Sequence, residues 1–73
     1  MLKIYTTTHC AYCIMVKHFL DKKGVEYETI NIEEQPEKQE EAFKLSGVSS
    51  VPITTNGESV VVGWNPSKLM GLI

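Results

Sequence analysis

Two cysteines stand three positions apart near the start of the 73-residue chain, in the run His9-Cys10-Ala11-Tyr12-Cys13, and the sequence holds no others. Thiols at that spacing can close a small disulfide ring, pass two electrons to another disulfide by exchange, or share a metal ion. As a staple the pair would do little. In the chain-entropy view a four-residue loop gains about 2 kcal/mol, against about 4.7 for a 100-residue loop. The pair is therefore read as chemistry. For exchange, one thiol must ionise readily, because the thiolate is the attacking species. The local device that helps most is a helix N-terminus, whose unpaired amides and dipole favour anions.

The flanking residues supply such a terminus. Leu2, Ile4 and Thr6 alternate with Lys3, Tyr5 and Thr7, which predicts a strand with one face more apolar. Thr7-Thr8-His9 is a short loop of cap-type residues, and a helix is predicted from about Cys10. Along it Tyr12, Cys13, Val16, Phe19 and Leu20 share a face, with Lys17, His18, Asp21 and Lys22 opposite; Met15, like Met70 later, reads as core filler. Gly24 is the expected stop. At this terminus the dipole is worth about 0.3–1 kcal/mol, up to about 2, which moves the Cys10 thiol from about 8.5 toward 7.5. Protonated His9 adds to the effect. Cys13 lies one turn inside on the apolar face, where desolvation raises its pKa. The asymmetry assigns attack to Cys10 and resolution of the mixed disulfide to Cys13.

Val25 to Ile32 reads as a second strand, so strand, helix and strand form a right-handed βαβ unit with parallel strands. Glu33-Glu34-Gln35 is a linker. Pro36 opens a second helix to about Leu45, with Ala42, Phe43 and Leu45 apolar and Glu37, Lys38, Glu40, Glu41 and Lys44 on a solvated face. Ser46-Gly47 ends it. Val51 to Thr55 and Glu58 to Gly63 flank Asn56-Gly57, the pattern of a hairpin with a two-residue type I′ turn. Val60, Val61 and Val62 in a row predict a strand covered on both faces. Asn65-Pro66 starts a last short helix carrying Leu69, Met70, Leu72 and Ile73. The order is βαβαββα.

Length predicts one domain, residues 1–73. The net charge is −2 with acids and bases mixed, so no basic stripe argues for nucleic acid. No apolar run approaches the ~20 residues of a membrane span, and the start lacks the charged-then-apolar layout of a signal peptide. A cytoplasmic, reducing setting is expected, where a lone C-x-x-C is catalytic or metal-binding. Metal carriage is the rival from another class. Heavy-metal-associated domains also place a C-x-x-C after the first strand, but they run βαββαβ. A structural zinc needs four ligands; His18 lies about 7.5 Å further along the helix than Cys13 and is rotated away. His9 could supply a third ligand at most. No metal and no other cofactor is expected beyond the Cys10–Cys13 disulfide.

These motifs carry a resemblance. Ile4-Tyr5-Thr6, Cys10-Ala11-Tyr12-Cys13, Gly47-Val48-Ser49-Ser50-Val51-Pro52 and Gly63-Trp64-Asn65-Pro66-Ser67-Lys68-Leu69 resemble, end to end, the glutaredoxin-like branch of the thioredoxin superfamily. The last stretch is similar to the ending of NrdH-type redoxins, which are reduced by thioredoxin reductase and feed class Ib ribonucleotide reductase. The resemblance implies an α/β thioredoxin-like fold, a four-stranded mixed sheet with helices on both faces. It implies a thiol-disulfide oxidoreductase acting on a disulfide-containing client protein, as a monomer, with thioredoxin reductase or glutathione as reductant. Pro52 would be cis and border the cysteines, Val51 would offer its backbone to an extended client, and Tyr12, Gly63 and Trp64 would line the same groove. Trp64 is read equally as a partner anchor or as packing under the last helix. Glutathione-using relatives usually carry a lysine where this chain has Thr7, and a Gly-Gly-x-Asp turn where it has Gly63-Trp64-Asn65-Pro66. Thioredoxin reductase is therefore preferred, with glutathione-dependent activity as the alternative. Against that preference, Cys-Ala-Tyr-Cys is nearer the glutaredoxin Cys-Pro-Tyr-Cys than the Cys-Val-Gln-Cys of NrdH-type chains.

Overall fold

The opening alternation gives strand β1 (Leu2–Thr6). The computed structural model describes residues 2–48 and 50–73; Met1, and Ser49 of the Gly47–Pro52 motif, lie outside the described residues. β1 is buried on both faces, because it lies inside the sheet. Its neighbours are β2 (Tyr27–Asn31) and β3 (Ile53–Thr55), and β4 (Val60–Val62) lies beyond β3, giving the order β2-β1-β3-β4. β1 and β2 are parallel, as the βαβ reading requires. β3 is antiparallel to both β1 and β4.

Helix α1 (Ala11–Lys22) follows β1, α2 (Pro36–Ser46) follows β2, and α3 (Pro66–Met70) follows β4. The sheet separates two apolar clusters. Leu2, Ile4 and Val61 meet Val16 and Leu20 of α1 and Leu69 of α3 on one side. Tyr5, Ile30, Ile32 and Ile53 meet Ala42 of α2 on the other. Each fully buried Leu or Ile contributes about 1.5–3 kcal/mol. With α1 and α3 on one face and α2 on the other, the architecture is the four-stranded mixed sheet with helices on both faces that the resemblance implies.

The helix ends follow local chemistry. Gly24, at φ 68°, closes α1 in a Schellman turn: Val25 N–H donates to the Leu20 carbonyl and Gly24 N–H to that of Asp21, both at 3.1 Å. Such a C′ residue is left-handed, which glycine adopts without strain. Asn65 Oδ1 accepts the Lys68 N–H at 3.1 Å and caps α3.

Four expectations need correction. The hairpin does not turn on Asn56-Gly57 as a type I′ pair. Thr55 pairs with Val60, leaving four connecting residues, and no described residue other than glycine has positive φ, whereas type I′ needs it at both central positions. Instead Asn56 Oδ1 accepts the Glu58 and Ser59 N–H groups at 2.9 and 2.8 Å, the side-chain turn that asparagine offers in competition. Val62 is 40% exposed, since β4 is an edge strand and only Val60 and Val61 meet the clusters. Met15, Met70 and Leu45 are exposed rather than core residues, because the short helices turn only narrow stripes to the sheet. Tyr12 points away from the face that buries Cys13, Val16 and Leu20 and is 58% exposed.

Candidate functional site

The site begins at the junction between Thr6 and Ala11. Cys10 has extended backbone (φ −143°, ψ 100°) and is the N-cap of α1. Its carbonyl accepts the Ile14 N–H at 3.3 Å, and its Sγ accepts the Cys13 N–H at 3.1 Å. A cap normally uses a serine, threonine or aspartate oxygen for this bond; here sulfur takes the place. Cys10 and Cys13 form a disulfide, with their Cα atoms 5.2 Å apart.

The two sulfurs differ in setting. Cys10 is half-buried, while Cys13 is 1% exposed and packs within α1's inward face. No acidic residue lies in the first turn of α1, so nothing there opposes the positive end of the dipole. Reduced and ionised, a sulfur in the Cys10 position would accept the same amide.

β3 brings a second segment to this end of the sheet. Tyr5 pairs with Ile53, so Pro52 falls level with Thr6, where the chain leaves for Cys10. The Val51–Pro52 peptide is cis, and Pro52 is buried with its carbonyl accepting the Gly63 N–H at 2.8 Å. Among the described residues no hydrogen bond engages the backbone of Val51. Gly63, at φ 76°, redirects the chain after β4.

Cys10, Val51, Pro52 and Gly63 thus come from segments that meet at one end of the sheet, and Tyr12 is exposed on the first turn of α1. Trp64 is half-buried against the Leu20–Leu69 cluster and stands edge-on to Phe19, ring centroids 5.8 Å apart. With Met15, His18, Phe19 and Lys22 it lines a shallow groove of about 250 Å³ along α1. One side of the indole thus packs on the cluster while the ring also borders that groove. His9 is exposed in the loop before Cys10. Among the described residues no three His, Cys, Asp or Glu side chains converge as metal ligands, and no helix is long and apolar enough to cross a membrane.

The sequence reading missed one part. Glu33, taken for linker, places its Oε1 2.7 Å from the Thr8 N–H. Asn31 Nδ2 donates to Thr8 Oγ1 at 3.3 Å, and Asn31 Oδ1 accepts the Glu33 and Glu34 N–H groups at 2.9 and 3.3 Å. The available signal was an asparagine at a strand end followed by acids, a type that bonds the amides two and three residues on.

Comparison with known proteins bears on this arrangement. Residues 2–60 match the family model described as glutaredoxin. The glutaredoxin-like protein NrdH of Lactococcus lactis is 33% identical over 72 residues, covering 99% of both chains. Among solved structures, a glutaredoxin from Archaeoglobus fulgidus is 33% identical at a TM-score of 0.88, over 97% of this chain and 83% of that one. The NrdH-redoxin of Escherichia coli, described as glutaredoxin-like with a thioredoxin-like activity profile, is 28% identical at a TM-score of 0.86, over 99% and 93%.

Proposed function

The chain belongs to the glutaredoxin family, whose members, those of the NrdH type included, are thiol-disulfide oxidoreductases, and on that premise we propose how its two cysteines work. Cys10 is the attacking thiol and Cys13 the resolving one. The observation that carries the assignment is the cap: Cys10 Sγ accepts the Cys13 N–H at the start of α1 while Cys13 is buried. A thiolate at Cys10 is stabilised by that amide and by the helix terminus; one at Cys13 is not.

The exchange runs in two displacements. The Cys10 thiolate attacks one sulfur of a client disulfide, forming a Cys10–client bond and releasing the other client sulfur as thiolate. Cys13, giving up its proton, attacks Cys10 and releases the second client thiolate. The client gains two electrons, and the protein is left with the Cys10–Cys13 disulfide. No other cofactor is required. The unengaged backbone of Val51, beside Pro52, supports docking of an extended client segment as a short added strand, with Tyr12 and Gly63 beside it.

Two electrons from thioredoxin reductase restore the dithiol, and the client is the disulfide of a ribonucleotide reductase, in a reducing cytoplasm. Thr7 and Gly63-Trp64-Asn65-Pro66 support this choice of reductant, because they leave glutathione without charged partners worth about 1.5–3 kcal/mol per hydrogen bond. The decisive assay offers oxidised protein NADPH with thioredoxin reductase and, separately, glutathione with its reductase; turnover only with glutathione would reverse the assignment. Cys13→Ser should accumulate a stable mixed disulfide through Cys10, and an adduct found on any other residue would refute the thiol roles.

A further inference from the structure

We propose that Glu33 is a positioning residue for Cys10: its carboxylate fixes the loop that presents the thiol. Residues 7–9 join β1 to Cys10 without secondary structure of their own. The Ile32 N–H donates to the Thr6 carbonyl at 2.9 Å, the last backbone rung between β2 and β1. Beyond it Glu33 takes over, its Oε1 accepting the Thr8 N–H at 2.7 Å. That is the short, charge-assisted kind of bond, about twice as strong as a neutral one.

The anchor is itself held. Asn31 Oδ1 fixes the backbone N–H of Glu33 and of Glu34, and Asn31 Nδ2 reaches Thr8 Oγ1. Thr8 is therefore gripped at both backbone and side chain, two residues before Cys10. All these bonds are at the surface, so no buried polar group requires them. Their consequence is local: Cys10 can cap α1 with its sulfur only while the incoming chain holds it extended.

The carboxylate also brings negative charge to the loop, which disfavours a thiolate nearby. Anchoring and charge act on the Cys10 thiol with opposite sign, and two variants separate them. Glu33→Gln keeps an acceptor oxygen and removes the charge; Glu33→Ala removes both.

The inference rests on Cys10 being the attacking thiol. The test uses reduced wild type and both variants, measuring ultraviolet thiolate absorbance against pH and the rate of attack on a dipyridyl disulfide near neutral pH. Glu33→Gln should titrate at or below wild type and react at least as fast. Glu33→Ala should titrate higher and react roughly threefold more slowly, the scale of one surface charge-assisted hydrogen bond. Its reduction potential should fall, because a less stable thiolate destabilises the reduced form. Alanine matching wild type, or glutamine slowing the reaction as much as alanine does, overturns the proposal.

Should Glu33→Ala not fold, hydrogen exchange on the wild type decides. The Thr8 amide, though on an exposed residue, should exchange at least about tenfold more slowly than in an unstructured peptide; exchange at the unstructured rate overturns the proposal. A wild-type Cys10 that titrates like free cysteine would defeat the functional reading and this inference with it. That failure is told apart because it needs no mutation.

Discussion

α1 and α2 have nearly equal length and finish alike, each on a left-handed glycine with a lysine in the last turn. They begin in opposite ways. α2 starts on Gln35, which makes no side-chain cap bond, with Pro36 at the first position and Glu37 in the first turn. The proline removes one amide that would need a partner, and the glutamate opposes the dipole. α1 starts on a cysteine whose sulfur takes the amide of a second cysteine, and it has no acid in its first turn. One helix disposes of its positive end by ordinary means, and the other leaves it to a sulfur atom. Anchoring differs in parallel, since α1 buries Cys13, Val16 and Leu20, and α2 buries only Ala42. The helix that carries the reactive pair is also the one more firmly held against the sheet.

The largest expected effect tests that second contrast. Leu20→Ala should cost about 2–5 kcal/mol in urea unfolding, the usual range for a buried leucine. Leu45→Ala on α2, at a position 46% exposed, should stay within about 0.5 kcal/mol. Comparable losses at both positions would mean that the helices are anchored equally.

Next in size is a buried defect on the α1 side. Three threonines are buried, and two have partners: Thr6 Oγ1 donates to the Thr7 carbonyl and Thr55 Oγ1 to that of Ser59. Thr54 pairs with Ile4 and Val61, which places its side chain among the α1-side cluster, and its Oγ1 has no partner among the described residues. A buried hydroxyl without a hydrogen bond costs about 1–3 kcal/mol. Thr54→Val should therefore stabilise the protein by about 1 kcal/mol, read as a higher urea midpoint at unchanged slope. A loss of stability would show that the hydroxyl is satisfied in solution.

Most of the fold was legible because its signals are local. Strand alternation, Pro36 and Pro66 at helix starts, and Gly24 and Gly47 at helix ends each act within a few residues. So did the C-x-x-C pair at a strand-to-helix junction, which located the reactive pair. What the sequence concealed depends on partners distant in the chain. Tyr5 looks like the polar partner in an alternation until β3 is seen beside β1. Met15 and Tyr12 have helical spacing that suits a core, but only the position of the sheet decides which stripe is covered. Glu33 touches Thr8 from 25 residues away, so local composition could describe it only as linker. Asn56-Gly57 failed for another reason: two turn chemistries were available at one asparagine, and the side-chain bond won.

Each helix also lays a carboxylate against a strand tyrosine, and alkaline pH should separate the two cases. Asp21 of α1 accepts the Tyr27 hydroxyl at 2.9 Å. Glu41 of α2 neighbours Tyr5, which is 1% exposed. Burial first and Glu41 second raise the Tyr5 phenol above its usual 10.0; burial and then the Asp21 bond raise Tyr27. A raised folded-state pKa means that above about pH 10 the unfolded chain loses protons while the folded one keeps them. Stability is then fully present below that pH and falls as pH climbs through the folded values. Tyr5→Phe should flatten this alkaline loss more than Tyr27→Phe, because Tyr5 is the more deeply buried. Equal flattening would indicate that the carboxylates, and not burial, dominate.

The smallest effect bears most directly on how the helices begin. Ala11→Glu gives α1 the first-turn acid that α2 has in Glu37. A carboxylate there is worth about 0.3–1 kcal/mol to the dipole, or roughly 0.2–0.7 pKa unit if it competes with a thiolate. The Cys10 pKa should rise by that amount, and the rise should shrink with added salt. Helix stability should increase at the same time, since the substitution improves α1 as a helix while worsening it as a thiolate site. Glu37→Gln should cost a few tenths of a kcal/mol and leave the thiol titration unchanged. An unchanged titration in Ala11→Glu would mean that the acid-free first turn of α1 does not serve the sulfur, and that the Cys13 amide alone must hold the charge.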